Sequence, residues 1–219
     1  WIATFIQDDR QTQEMQNETI TVYTGGATID EDILINGSNG ETVLLPRRAA
    51  GIGGIIIGKD ANGKIKQPEA IFAYNNKQYS GKLRYAYIDG KLNDFESGLD
   101  AGVFLFPRLD QLSNGQVNLV QNGALMYLGP RTVHSQLAKL YLFEEESDYF
   151  KLAHSQDGYI VETLKSQGMK LDEFVWYQGL QGPIKIWEVT YPKNIVAKQE
   201  YLSRDFPNPA LDQAKSGEY

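Results

Sequence analysis

The chain has 219 residues, a formal charge of −7, 22% charged side chains and no cysteine. That length supplies a core large enough to stand without metal or disulfide staples; the missing thiols exclude a disulfide framework and thiolate chemistry and leave the compartment open. The acidic balance excludes a sequence-independent nucleic-acid binder, which needs a Lys/Arg surface. No apolar run approaches the roughly 20 residues of a membrane helix, and none has the basic start and apolar centre of a signal peptide.

Residues 1–16 (WIATFIQDDRQTQEMQ) set Ile2, Phe5 and Ile6 at helical spacing before turning polar. This predicts an N-terminal helix that loses its buried face after about two turns. Such a helix is marginal alone, and the start on Trp1-Ile2 fits a domain cut from a larger chain.

Over residues 17–122, short β-rich runs alternate with Asn36-Gly37, Asn39-Gly40, Asn62-Gly63, Asp89-Gly90 and Asn114-Gly115, dipeptides that accept positive φ and connect hairpins. The runs fall at 19–23, 42–45, 55–57, 70–74, 83–88, 102–106 and 116–120. Their spacing predicts an antiparallel β-sandwich or barrel, in which Tyr74, Tyr79, Tyr85 and Tyr87 are ordinary strand formers.

Residues 123–189 mix the two periodicities. Pro130 suits a helix entry, where the first N–H groups lack partners anyway, and Val133, Leu137, Leu140 and Tyr141 then make one apolar stripe as far as Phe143. An acidic knuckle, Glu144 to Asp148, leads into a strand over 149–153. A second helix covers 158–167, with Asp157 as its cap and Gly168 as its stop, and a strand over 183–189 closes the module. Residues 190–219 read as a polar tail, tied down through Tyr201, Leu202 and Phe206. The expectation is a mostly β chain with some α: an antiparallel sandwich or barrel followed by a small α+β module.

Candidate motifs have plain structural readings. Gly53 to Asp60 (GGIIIGKD) matches Gly-x-x-x-x-Gly-Lys but ends in Asp where a phosphate loop needs Ser or Thr, and its Ile run reads as a strand entering a hairpin. Asp60, Asn62 and Gly63 begin like a calcium loop, yet Ile71 stands where the bidentate Glu belongs. The acidic clusters Asp30 to Asp32 and Glu144 to Asp148 read as solvated faces. His134 and His154 each precede a Ser, but adjacency in sequence does not build a triad, and two histidines without cysteine offer few zinc ligands. Arg47-Arg48 reads as a surface turn. Asn17-Glu18-Thr19 and Asn36-Gly37-Ser38 match the N-glycosylation acceptor pattern, making Asn17 and Asn36 the candidate modification sites. No catalytic, cofactor-binding or metal-binding residue emerges.

The order Pro130, then Ser135-Gln136-Leu137-Ala138-Lys139-Leu140-Tyr141-Leu142, then Phe150-Lys151-Leu152, then Ile184-Lys185-Ile186-Trp187-Glu188-Val189 resembles the end of the archaeal-type oligosaccharyltransferase catalytic subunit, a membrane enzyme that transfers a lipid-linked glycan to Asn. Trp1-Ile2-Ala3 resembles the continuation of the helix that follows the family's second substrate-binding motif. The family's catalytic Trp-Trp-Asp-Tyr-Gly is absent: Val175-Trp176-Tyr177-Gln178-Gly179 lacks the Asp. Asp148-Tyr149-Phe150-Lys151 has the letters of the family's Asp-x-x-Lys motif, but on a predicted loop and strand. The resemblance implies a non-catalytic, extracytoplasmic piece of a dolichyl-phosphooligosaccharide-protein glycotransferase. The divalent metal of that enzyme would be bound outside this chain, and the partners would be the upstream catalytic and membrane portion, acceptor polypeptide or glycan. Two other expectations stand beside it: a surface or filament β-protein that exchanges strands between copies, and a carbohydrate-binding module that stacks sugars on Tyr and Trp.

Overall fold

The apolar runs between the turn dipeptides become long strands. The structure, a computed structural model, describes residues 3–6, 9–15, 18–36, 40–111 and 116–194. An antiparallel meander of β3 (Glu18–Thr28), β6 (Gly51–Asp60), β7 (Glu69–Tyr74) and β8 (Lys77–Ile88) makes one half of the main sheet. Between β7 and β8 the turn residues Asn75 and Asn76 both take positive φ, 50° and 57°. This is the twist-matched hairpin geometry, reached by an Asn-Asn pair and without the glycine of the Asn-Gly and Asp-Gly turns. Asp89-Gly90, with φ of 53° and 71°, turns β8 into β9 (Lys91–Asp94) as its composition predicts.

β8 is long enough to serve two partners. Its first half pairs with β7, and its second half, from Leu83 to Tyr87, lies parallel to β10 (Leu99–Gln111). β10 then pairs antiparallel with β11 (Val117–Leu128). The parallel β8–β10 contact departs from the wholly antiparallel expectation. The short β9 strand returns beside β8, and β10 is thereby laid down in the same direction as β8. β11 runs through residue 123 and keeps Leu125 to Leu128 in the main sheet.

The N-terminal helix expectation is overturned. Residues Ala3–Ile6 form strand β1, paired with the end of β11, and Asp9–Met15 form β2, paired with β3. In β2 the described side chains, Thr12, Gln13 and Glu14, are exposed, and the strand pairs through its backbone with β3. An edge strand that is polar on both faces has no period-2 signal to read. β1 also lies against β3, so the sheet curls back on itself.

Inside the curl, Tyr23, Ile55, Phe72, Leu83, Ala86, Val103, Leu125 and Tyr127 form the main core, and the hairpin of β4 (Ile33–Asn36) and β5 (Thr42–Leu45) closes it with Ile33, Ile35 and Leu45. The opposite face of β10 and β11 carries Phe104, Phe106, Met126 and Leu128, which pack on Tyr87, Val133, Ala138, Leu142 and Phe174. These two strands are therefore covered on both sides, which explains why Val103 to Phe106 and Ala124 to Leu128 read as continuous apolar runs rather than alternating ones.

The covering module is less regular than its sequence pattern. The expected single helix from Pro130 to Phe143 breaks into α1 (Pro130–Val133) and a π-helical turn over Ala138–Leu142. Ser135 makes the break, donating its hydroxyl to the Thr132 carbonyl and accepting the Ala138 N–H. The wider turn, with the Phe143 N–H reaching the Ala138 carbonyl, moves the buried stripe to Val133, Ala138 and Leu142 and leaves Leu137 exposed. α2 (Tyr159–Ser166) starts at Gly158 without a side-chain cap, because Asp157 pairs with Lys165 instead, at 2.7 Å. It stops where predicted: Gly168 takes φ 90°, with its N–H on the Lys165 carbonyl and that of Met169 on Leu164. The last strands are β12 (Phe150–Gln156), β13 (Val175–Trp176), β14 (Leu180–Gln181) and β15 (Ile184–Val189). β12 and β15 form a separate antiparallel ribbon, while β13 joins the main sheet through β10.

Candidate functional site

The most tightly organised polar site in the described residues is the knot around Lys185. Strand alternation turns Lys185 inward from β15 while Ile184 and Ile186 point out, and the lysine side chain is left 1% exposed. Its ammonium donates to the Tyr141 carbonyl at 2.9 Å and to Glu173 at 3.0 Å, and it forms an ion pair with Glu144 at 2.9 Å. Two hydrogen bonds and a further ion pair thus hold the buried charge. The charge also lies 5.1 Å from the Phe174 ring centroid and 5.6 Å from that of Tyr141, so both aromatic faces contribute attraction.

Tyr141 closes the knot from the other side. Its hydroxyl donates to the Pro183 carbonyl at 3.0 Å, and burial pushes its phenol above the usual tyrosine range. A Cβ at Gly182 would lie 2.5 Å from the Tyr141 hydroxyl and 2.7 Å from the Phe174 ring, so only glycine allows the strand this close. Burial pushes the Glu173 carboxyl up, and its hydrogen bond from Lys185 opposes the shift. The knot clamps the closing strand to the π-helical turn and to the stretch that carries Glu173.

Beyond the knot the β12–β15 ribbon presents an apolar exterior. Ile184, Ile186 and Val189 are 59%, 55% and 42% exposed, and Tyr149 is 51% exposed beside them in the chain leading to β12. The Tyr149 carbonyl accepts the Thr190 N–H and so extends the ribbon by one bond.

The residues singled out in the sequence are scattered. Gly53 to Asp60 lie within β6, and Asp60 closes a plain turn by accepting the N–H groups of Asn62 and Lys64. Arg47 and Arg48 sit in an exposed turn, with the Arg47 N–H on Asp32 and Arg48 at φ 63°. His134, exposed at the end of α1, pairs with Asp100, which also neighbours Arg84; His154 stands exposed in β12 opposite Ile186. Asp148 lies in the loop before β12 and Lys151 within that strand. Asn36 ends β4 with its side chain exposed, while Asn17 lies outside the described residues.

The acidic clusters correct the solvated-face expectation in part. Glu31 is 6% exposed. Glu144 serves Lys185, Glu145 approaches Lys139 at 3.7 Å and Glu146 accepts the Leu152 N–H. No group of three or more His, Asp or Glu side chains placed to share a metal ion occurs among the described residues, and no described helix is long and apolar enough to cross a membrane. Sequence reasoning missed the Lys185 knot because its partners come from two stretches far from it in the chain, Tyr141 to Glu144 and Glu173 to Phe174; the only trace was a lysine alternating with isoleucines.

Of the tyrosines read as ordinary strand formers, Tyr87 is buried and stacks on the buried Phe104 at 4.7 Å, whereas Tyr74, Tyr79 and Tyr85 are half-buried. Comparison with protein-family models, curated proteins and solved structures finds no match to this chain.

Proposed function

We propose that the chain is a non-catalytic extracytoplasmic domain of an oligosaccharyltransferase-like membrane glycosyltransferase, and that its task is to pack against the upstream catalytic portion. One observation carries the reading. The separate stretches on which the family resemblance rests converge on one another: Lys185 of the closing strand holds the Tyr141 carbonyl 44 residues away, and Phe150-Lys151-Leu152 pairs along β15 from Trp187 to Val189. Stretches that resemble one family in order and also build one mutually tied unit are better explained together than apart.

The ribbon's exposed Ile184, Ile186 and Val189 supply the packing surface. Apolar side chains clustered outside a separately folded core gain from being covered. No residue of this chain is given a catalytic role; the transfer chemistry and its divalent metal belong to the upstream portion. Asn36 is open to modification on that side of the membrane.

The gene upstream of Trp1 tests the reading first. Membrane-spanning segments and a Trp-Trp-Asp-Tyr-Gly motif are expected there, and an initiator codon or a simple signal peptide directly before Trp1 would end the proposal. In the parent protein, Ile184→Asp with Ile186→Asp is then expected to lower glycan transfer to an Asn-x-Thr peptide by loosening the assembly, while the 219-residue chain alone keeps its melting temperature.

A further inference from the structure

A second feature lies away from the Lys185 knot. α2, the first residues of β11 and the β13–β14 hairpin enclose an open groove of about 1010 Å³, at the upper end of the roughly 300–1,000 Å³ found for small-molecule sites. Helical spacing places Tyr159, Ile160, Thr163, Leu164 and Gln167 along one wall of it. Its floor is the small third core, where Val161, Leu164 and Val175 are buried and Val117, Ile160 and Tyr177 pack partly exposed.

In a chain with 22% charged side chains, none of the described residues lining this groove carries a charge. The rim is instead a set of carboxamides: Gln116, Asn118, Gln167, Gln178 and Gln181. Gln181 reaches the Tyr177 carbonyl, whereas the amides of Asn118, Gln167 and Gln178 make no hydrogen bond to the described protein. Gln178 is held at the hairpin tip with φ 54°, a left-handed conformation that costs a non-glycine residue energy and recurs at ligand sites. Tyr159, 84% exposed, stands at one side of the groove, and Tyr177 at another.

From these features we infer that the groove binds a neutral saccharide. A carboxamide offers a donor and an acceptor on one planar group, which matches neighbouring sugar hydroxyls that each donate and accept. Tyrosine supplies a flat apolar face with a polar tip, suited to the C–H face of a sugar ring. A charged ligand would meet no countercharge here and would lose its hydration without return. The volume accommodates more than one ring. The inference stands on the groove and is independent of the parent-enzyme proposal.

The 219-residue chain is titrated, with NMR chemical shifts as the readout, against neutral gluco-, manno- and N-acetylglucosamine trisaccharides, against a glycopeptide carrying a neutral glycan, and against the same peptide deglycosylated. Saturable binding of a free trisaccharide, or of the glycopeptide only in its glycosylated form, with Kd at or below about 1 mM, is the expected result, and the two arms distinguish free from protein-linked sugar. Tyr159→Ala with Gln178→Ala is expected to weaken that binding about tenfold or more at unchanged melting temperature; both side chains are exposed, so folding is spared. No saturable binding in any arm, binding unaltered in the double variant, or equal binding of the deglycosylated peptide, as an added strand beside β11 would give, overturns the inference.

Discussion

The carboxylate of Glu31 accepts the backbone N–H of Arg131 at 2.8 Å, 100 residues further along the chain. Arg131 is in the first turn of α1, whose own N-cap, Gly129, provides no side-chain acceptor. A buried acid from the loop after β3 thus caps the entry helix of the covering module and ties it to the main sheet, with the helix N-terminus favouring its negative charge. Glu31→Ala is expected to cost about 1–2 kcal/mol in urea unfolding. Glu31→Gln, which keeps an acceptor oxygen, is expected to recover part of that. Gly129→Ala should also destabilise, since its Cβ would lie 2.5 Å from the Glu31 carboxylate.

Tyr127 tests the opposite case. Its ring is 2% exposed and meets Phe72 edge to face at 6.3 Å, but its hydroxyl has no hydrogen-bond partner in the described protein. An unpaired buried hydroxyl costs energy, and removing it with the ring retained releases that cost. Tyr127→Phe is expected to leave the melting temperature unchanged or raise it, by the equivalent of up to about 1 kcal/mol. A clear loss of stability in calorimetry would show that the hydroxyl is satisfied.

At the Lys185 knot, deleting the cation leaves Glu173 and the Tyr141 carbonyl facing each other without a donor. Lys185→Ala is therefore expected to destabilise by about 2–4 kcal/mol, in the lower part of the range for breaking a buried pair because both glutamates keep some solvent contact. Lys185→Met fills the space but not the charge and should fall between Ala and the parent chain. Equilibrium denaturation of the two variants beside the parent measures both steps.

Asp172 gives a pH signature. Its carboxylate lies against Gly90, where a Cβ would come within 2.8 Å, and burial, with the Asp89 charge, pushes it above the usual carboxylate range while Lys165 opposes the shift. A carboxyl whose folded pKa is raised binds more protons in the native state than in the unfolded one. Its contribution to stability is therefore fully present below the ordinary aspartate value, about 3.9, and declines as pH rises through the folded value. Asp172→Asn removes that decline. The variant is expected to melt higher than the parent at neutral pH and to match it near pH 3, and thermal melts across that window decide the sign.

Sequence alone determined most of the strands between Glu18 and Val120, because β-branched and aromatic runs bounded by Asn-Gly and Asp-Gly pairs hold their meaning locally. It also determined the end of α2 at Gly168, where positive φ selects glycine, and it marked Asp60 and Asp89 as turn residues. The tertiary structure decided what has no local period. β2 is polar on both faces and is a strand only because β3 offers it a ladder. Val103 to Phe106 are apolar throughout because the main core covers one face and the module the other. Ser135 interrupts the helix from Pro130, and the π-helical turn that follows selects Ala138 and Leu142 over Leu137. The residues that tie the module down, Glu31 to Arg131 and Lys185 to Glu173, Glu144 and Tyr141, looked like members of solvated charge runs and strand edges. A buried charge is recognised by its partners, and those partners meet only when distant stretches of chain are folded against one another.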